Sequence, residues 1–399
     1  MHTHVLATAG TPFPGSAFEA PIFRIPALTV TTRRRILVAY DVREDWRDLP
    51  ADFDVALRHS DDGGMSWSDA RPLRAHSPGH GFGDASLLTD PATGHVHCWY
   101  VGSTGESYFS ARPDAPGLEL WLATSTDEGE TWTHRNLSHL RPPGVAGMFC
   151  ASGNGAVLAD GTLLQPFVAR IGGANWALCA RSEDHGLTWT MGAPVGPDCD
   201  EWKVVGLAPA GVSRSRALMH ARATPARRQA FSDDAGATFS APMPVSALVD
   251  PGCNGGLVRV GDVLVASMCD DPQGRGRLSL HVSEDEGVTW GPAVLVDRGA
   301  AAYSVLAALD QRTLVLAWEA DNYQRIVVAT IDLDEIGVGV GEKKGAAAPN
   351  LVPRAGTPGF ALPPVVNPRS GEADPAGSWS TREALAVPRV EEGAGRWDL

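Results

Sequence analysis

One short pattern, S-x-D-x-G-x-T/S-W/F, constrains this chain more than any other feature because it occurs five times. The copies are SDDGGMSW from Ser60, STDEGETW from Ser125, SEDHGLTW from Ser182, SDDAGATF from Ser232 and SEDEGVTW from Ser283. Their starts are 65, 57, 50 and 51 residues apart, the length of a unit of about four short strands. A strand-like alternating stretch precedes the copies, as in DVALRH, LWLAT and LSLHV. The residue types suit a hairpin turn: Ser and Asp oxygens accept from the turn's own amides, and Gly supplies a positive-φ position. The closing aromatic tucks beneath the loop. Five equivalent aspartates (Asp62, Asp127, Asp184, Asp234 and Asp285) cannot all be one catalytic centre, so they are read as turn residues.

A further strand group without the pattern (AAYSVLAAL, TLVLAWE, RIVVATI) runs to Ile331, and helical periodicity is nearly absent. The expected fold is therefore all-β, a six-bladed β-propeller over residues 20–340 behind an N-terminal lead-in at 1–19. Residues 341–399 hold 8 of the 30 prolines and 8 glycines, with seven basic and seven acidic side chains. They read as a Pro/Gly-rich tail, irregular or disordered.

Composition narrows the function. The 47 acidic against 33 basic residues, net −14, argue against a nucleic-acid binder, and no apolar run approaches a membrane span. The first residues show no basic and apolar leader, so a cytoplasmic location is expected, with secretion left open; a monomer is also expected. Six cysteines without C-x-x-C spacing read as reduced, buried thiols. Neither a metal nor a cofactor is expected: the histidines lack ligand spacing, and no phosphate-binding loop stands between strand and helix.

The five repeats resemble the Asp boxes of sialidases, and FRIPAL at Phe23–Leu28 resembles their F/Y-R-I-P signature. Over residues 20–335 the chain is similar to bacterial sialidases (neuraminidases), of the glycoside hydrolase family 33 type. The resemblance implies a central site and an exo-α-sialidase. Such an enzyme removes terminal sialic acid from glycoconjugates or oligosaccharides, with retention, through a Tyr nucleophile. Sialic acid carries a carboxylate on its anomeric carbon, which calls for fixed bidentate cations. The family uses three arginines. Arg24 matches the first, ARRQAFSDDAG places the second at Arg227, and the third falls at Arg275, with Arg277 close to the same slot.

A carboxylate nucleophile would be repelled by the substrate, and a neutral Tyr avoids this. Tyr303 in AAYSVLAAL matches the family's Y-S-x-L strand. Glu319, 16 residues on, matches the Glu that steadies the first arginine. In YDVREDWRDLPADFD, Arg43 takes the substrate-binding arginine position and Asp48 that of the acid/base, with Asp45, Asp52 and Asp54 as competitors. Asp84 in GFGDAS is a rim contact or a structural residue. One departure stands out. The family pairs its Tyr with a Glu in a segment like D-E-N-K-V-V-E-L, and DEWKVVGL puts Gly206 there. Glu201, five residues along a strand, would lie on the opposite face and roughly 16 Å away. Tyr303 is thus expected to lack its proton acceptor, with a weak or inert sialic-acid-binding propeller as the alternative function. Any carboxylate within ~3 Å of the Tyr303 hydroxyl would restore the standard mechanism.

Overall fold

The structure is a computed structural model that describes residues 1–208 and 215–338; the tail expected at 341–399 lies outside the described residues. Strand β1 (His2–Thr8) comes first in the chain. The first complete sheet is then β2 (Ile22–Val30), β3 (Ile36–Arg43), β4 (Phe53–Ser60) and β5 (Arg71–Arg74), in that order. The second is β6 (Gly81–Thr89), β7 (Val96–Ser103), β8 (Leu118–Ser125) and β9 (Thr133–Asn136). In the third, β10 (Met148–Cys150) and later β12 (Ala156–Val157) both pair with β13 (Leu163–Ile171). Between them β11 (Gly153–Asn154) leaves to pair in parallel with β6. The third sheet continues through β14 (Ala174–Ser182) and β15 (Thr190–Met191). The fourth is β16 (Trp202–Gly206), β17 (Ala217–Ala221), β18 (Ala226–Ser232) and β19 (Met243–Val249).

The last sheet joins β20 (Gly256–Val260), β21 (Val263–Cys269), β22 (Gly276–Ser283), β23 (Val294–Ala308), β24 (Thr313–Ala320) and β25 (Arg325–Asp332). Its hinge is the 15-residue β23. The first half of β23 pairs with β22 and its second half with β24. The edge beyond β25 is taken by β1, from His2↔Thr330 to Thr8↔Arg325. The expected lead-in is therefore in part a strand: alternation in HTHVLAT lets it cover an edge that would otherwise stay open.

The leading strands follow one another around a closed ring. β2 packs beside β6, β6 beside β11 and β12, β12 beside β16, β16 beside β20, β20 beside β23, and β23 beside β2 again. This is a β-propeller. Each sheet is sandwiched between two others, so a middle strand such as β3 or β7 is buried along its whole length. The hydrophobic clusters lie between neighbouring sheets: Phe53, Trp99 and Phe167, from three successive sheets, share one of them. Trp99 meets Phe167 edge-on at 5.2 Å and the turn residue Trp189 at 5.1 Å.

The five repeats are hairpin turns. Each starts on the last residue of a third strand (Ser60, Ser125, Ser182, Ser232 or Ser283). In the second copy Asp127 accepts from the Ser125 hydroxyl at 2.7 Å, the Thr131 amide at 2.9 Å and the Thr131 hydroxyl at 2.6 Å. Ser125 in turn accepts from the Gly129 amide at 2.8 Å, and Gly129 has φ +85°. Trp132 closes the loop by donating its indole N–H to the Gly129 carbonyl at 3.0 Å. All six cysteines are free and buried.

Candidate active site

Antiparallel order puts the start of every first strand, and the end of every second strand, at one end of the ring, with the repeats at the other. The chemistry-bearing side chains gather at the first of these ends. Three of them sit at ladder irregularities: between Arg24 and Ala27, between Gly83 and Ser86, and between Ala301 and Ser304. A bulge breaks the strict alternation and re-aims a side chain out of the sheet. The backbone shows the cost: Ile25, β-branched, has φ 58° and Asp84 has φ 56°. Glu319 offsets part of it. This fully buried carboxylate accepts from Arg24 Nε at 2.6 Å, the Ile25 amide at 2.9 Å and the Tyr303 amide at 3.1 Å. One group thereby locks an arginine and a tyrosine that are far apart in sequence.

The Tyr303 hydroxyl donates to Glu201 Oε2 at 2.5 Å. This overturns the expectation that Glu201 is out of reach and that Gly206 leaves a gap. Glu201 immediately precedes β16 and so stands at the site end, whereas Gly206 ends the strand, beside Val157 and Leu158. The strand does separate the two positions; the tyrosine is simply at the other end of it. Burial first, then the Glu201 charge, pushes the Tyr303 hydroxyl well above the ordinary tyrosine range, against the pull of Arg222 and Arg275. At rest it is a neutral phenol hydrogen-bonded to a carboxylate.

The arginines also need correcting. Arg24 lies 5.7 Å and Arg275 5.5 Å from the centre of the Tyr303 ring. Arg275 also donates to the Tyr323 hydroxyl at 3.0 Å, while its rival Arg277 is exposed. Arg227 is elsewhere. It is 1% exposed, on the third strand of its sheet, donating to the Cys253 carbonyl at 2.6 Å and paired with Asp250 at 3.4 Å. The third guanidinium beside the tyrosine belongs to Arg222, which donates to the Tyr303 hydroxyl at 3.0 Å and to Glu201 Oε2 at 2.8 Å. It was missed because nothing in HARAT marks it except its place just after a second strand. Register supplies that place: Ala221 opposes Trp202, which sets Arg222 opposite Glu201.

Asp48 is on the loop after β3, its side chain 80% exposed, and accepts from Arg43 Nη1 at 2.8 Å. Arg43, expected to touch substrate, is only 2% exposed and also grips buried Asp41 at 2.8 Å. Its guanidinium bridges Asp41 and Asp48. Asp84 donates its amide to Asp41 at 3.0 Å. Burial, then the Asp41 charge, pushes its carboxyl well above the usual range, while burial raises Asp41 to about 6 against the pull of Arg43. On the same loop Trp46 packs edge-on against Tyr323 at 5.3 Å.

Residues 37–315 match the family of BNR repeat-like domains. A sialidase of Micromonospora viridifaciens is 32% identical over 386 residues, covering 89% of this chain and 58% of the relative. A sialidase of Bacteroides fragilis is 30% identical over 331 residues, covering 75% of this chain and 60% of the relative. The chain thus spans about three fifths of the length of these two relatives. Among solved structures, the Hadza microbial sialidase Hz136 superposes with a TM-score of 0.71 at 26% identity, over 78% of this chain and 66% of that one. Propeller, repeats and family match agree: the chain belongs to the family of BNR repeat-like domains.

Proposed function

We propose that the protein is a retaining exo-α-sialidase acting on terminal sialic acid of glycoconjugates or oligosaccharides. The observation that carries this reading is the Tyr303 hydroxyl 2.5 Å from Glu201 Oε2, beside three guanidinium groups. Arg24, Arg222 and Arg275 bind the substrate carboxylate, and Glu319 holds Arg24 in place. Tyr303 Oη attacks the anomeric carbon and passes its proton to Glu201 Oε2. Asp48, as the general acid, gives a proton to the departing glycosidic oxygen as that bond breaks. Asp48 then takes a proton from water, whose oxygen bonds to the anomeric carbon. The tyrosine oxygen leaves and recovers its proton from Glu201. Two inversions give net retention.

With β23 counted as a member of two four-stranded groups, the architecture is a six-bladed ring, and β1 completes the last blade. The reading as an inert binder rested on Gly206; the contact of Tyr303 with Glu201 favours the enzyme over it. The test is release of 4-methylumbelliferone from its α-sialoside by wild type, lost in Tyr303→Phe. Turnover of that variant within tenfold of wild type would refute the tyrosine's role.

A further inference from the structure

Lysine occurs at 203, 343 and 344 only, against 33 basic residues in all. The one among the described residues, Lys203, is 1% exposed and lies two residues along the chain from Glu201. Burying an ammonium costs several kcal/mol unless its protons are taken up. Its Nζ donates to the Ser152 carbonyl at 2.6 Å and to Asn254 Oδ1 at 2.7 Å. Asn254 Nδ2 donates onward to Glu201 Oε1 at 3.1 Å and to Ser152 Oγ at 3.1 Å, and Ser152 Oγ donates to Glu201 Oε1 at 3.2 Å. Space has been left for the amine: a Cβ on Gly153 would stand 2.7 Å from Lys203 Cε and 3.2 Å from Nζ. A branched guanidinium would need more room and more acceptors.

The direction of the chain is set by chemistry. A lysine ammonium can only donate and a carboxylate can only accept, so the Asn254 amide has one allowed orientation. With the lysine gone, the amide is free to turn its oxygen toward Glu201 and repel it. We propose that Lys203 is a positioning residue: through Asn254 it ties down Oε1 of Glu201 and leaves Oε2 to take the Tyr303 proton. This rests on the tyrosine mechanism above. The charged or titratable groups facing Lys203 are Glu201, Arg227 and Cys253, and those facing Glu201 include Arg222, Asp200 and Asp84. Burial pulls the ammonium down to about 7, so the amine carries its charge below that pH.

The experiment compares wild type with Lys203→Met, Asn254→Leu and the double variant. On the aryl sialoside, each single variant should lower kcat by on the order of 10–100-fold. The Kd of a 2,3-unsaturated sialic-acid analogue should stay within about threefold, because the arginines are untouched. The acid limb of kcat/KM should move to higher pH by about half a unit or more in Lys203→Met, since Glu201 loses a neighbouring cation. The double variant should be no worse than the poorer single one. Multiplicative losses, or an acid limb that stays in place, would overturn the proposal even if kcat falls. A second arm needs no turnover: the Glu201 carboxyl midpoint is followed by carbon NMR and assigned by its absence in Glu201→Gln. It should rise in Lys203→Met, and in the isosteric Asn254→Asp should the methionine variant fail to fold. An unchanged midpoint refutes the network. If wild type leaves the sialoside intact, the sialidase reading fails, while the NMR arm still decides the role of Lys203.

Discussion

Replacing Glu201 by Gln tests the site at its most specific contact. In wild type, Oε2 accepts from Tyr303 at 2.5 Å and from Arg222 at 2.8 Å, while Oε1 accepts from Asn254 at 3.1 Å and Ser152 at 3.2 Å. All four groups hydrogen-bonded to these oxygens are donors. A glutamine has one oxygen and one NH2, so either orientation sets donor against donor. With its oxygen toward Tyr303, its nitrogen faces Asn254; reversed, its nitrogen faces Arg222 and the phenol. The variant also cannot take up a proton. Loss of a positioned general base costs about 10²–10⁴ in rate, which is about 2.7–5.4 kcal/mol at 1.36 kcal/mol per tenfold. The assay is kcat on the fluorogenic sialoside, paired with calorimetric affinity for the unsaturated analogue. The expected result is a kcat loss in that range with affinity within about tenfold. Gly206→Glu serves as the control: the nearest neighbours of its Cβ would be Leu158 at 3.4 Å and the Val157 carbonyl at 3.6 Å, so activity should not rise. A folded Glu201→Gln that loses less than tenfold in kcat, or a Gly206→Glu that gains tenfold, would refute the reasoning.

Two further substitutions separate the site from its support. Arg222→Ala should weaken binding of the analogue by about 1.5–3 kcal/mol, the worth of a hydrogen bond to a charged group, and should cost less stability than Arg227→Ala, because Glu201 keeps its donors Tyr303, Asn254 and Ser152 and has Lys203 close by. Arg227→Ala should instead strip buried Asp250 of its cation and cost about 3–5 kcal/mol in unfolding free energy; denaturant titration of both variants reads the contrast. Asp127→Asn probes the turns. The Thr131 hydroxyl and amide, with the Ser125 hydroxyl, hold Asp127 down to about 2. A depressed carboxylate contributes stability above its unfolded pKa and loses it as pH falls through the folded one. The deficit of the variant, on the order of 1 kcal/mol for a solvent-exposed turn, should therefore be constant above about pH 4. It should vanish toward pH 2, and a deficit that persists there would contradict the assignment.

How much of the site was legible depended on whether a residue announces itself locally. Arg24 sits in a contiguous signature, and Tyr303 and Glu319 keep their spacing because one hairpin, β23–β24, carries both. Arg222 and Glu201 have no such signature. Their nearness to Tyr303 comes from two different sheets meeting at the ring axis, across 81 and 102 residues of sequence. Arg227 misled because it shares its strand with the repeat at Ser232, so a pattern anchored on that repeat selects it readily. Its sheet position then hides it.

The sequence by itself determined the repeating unit. Side-chain oxygens, a positive-φ glycine and an aromatic plug act within eight residues, so five turns and the strands before them are local facts. It also determined that an arginine and a tyrosine of the right kinds are present. Only the tertiary structure decided which carboxylate lies beside Tyr303, which arginine joins Arg24 and Arg275 there, and that Arg43 is paired with Asp48. Those choices depend on which end of a strand faces the axis and on how bulges turn side chains out of the ladder. Completion of the last sheet by β1 is of the same kind, since it joins His2 to Thr330. A strand edge has no preference for a near partner over a distant one once the ring has brought them together.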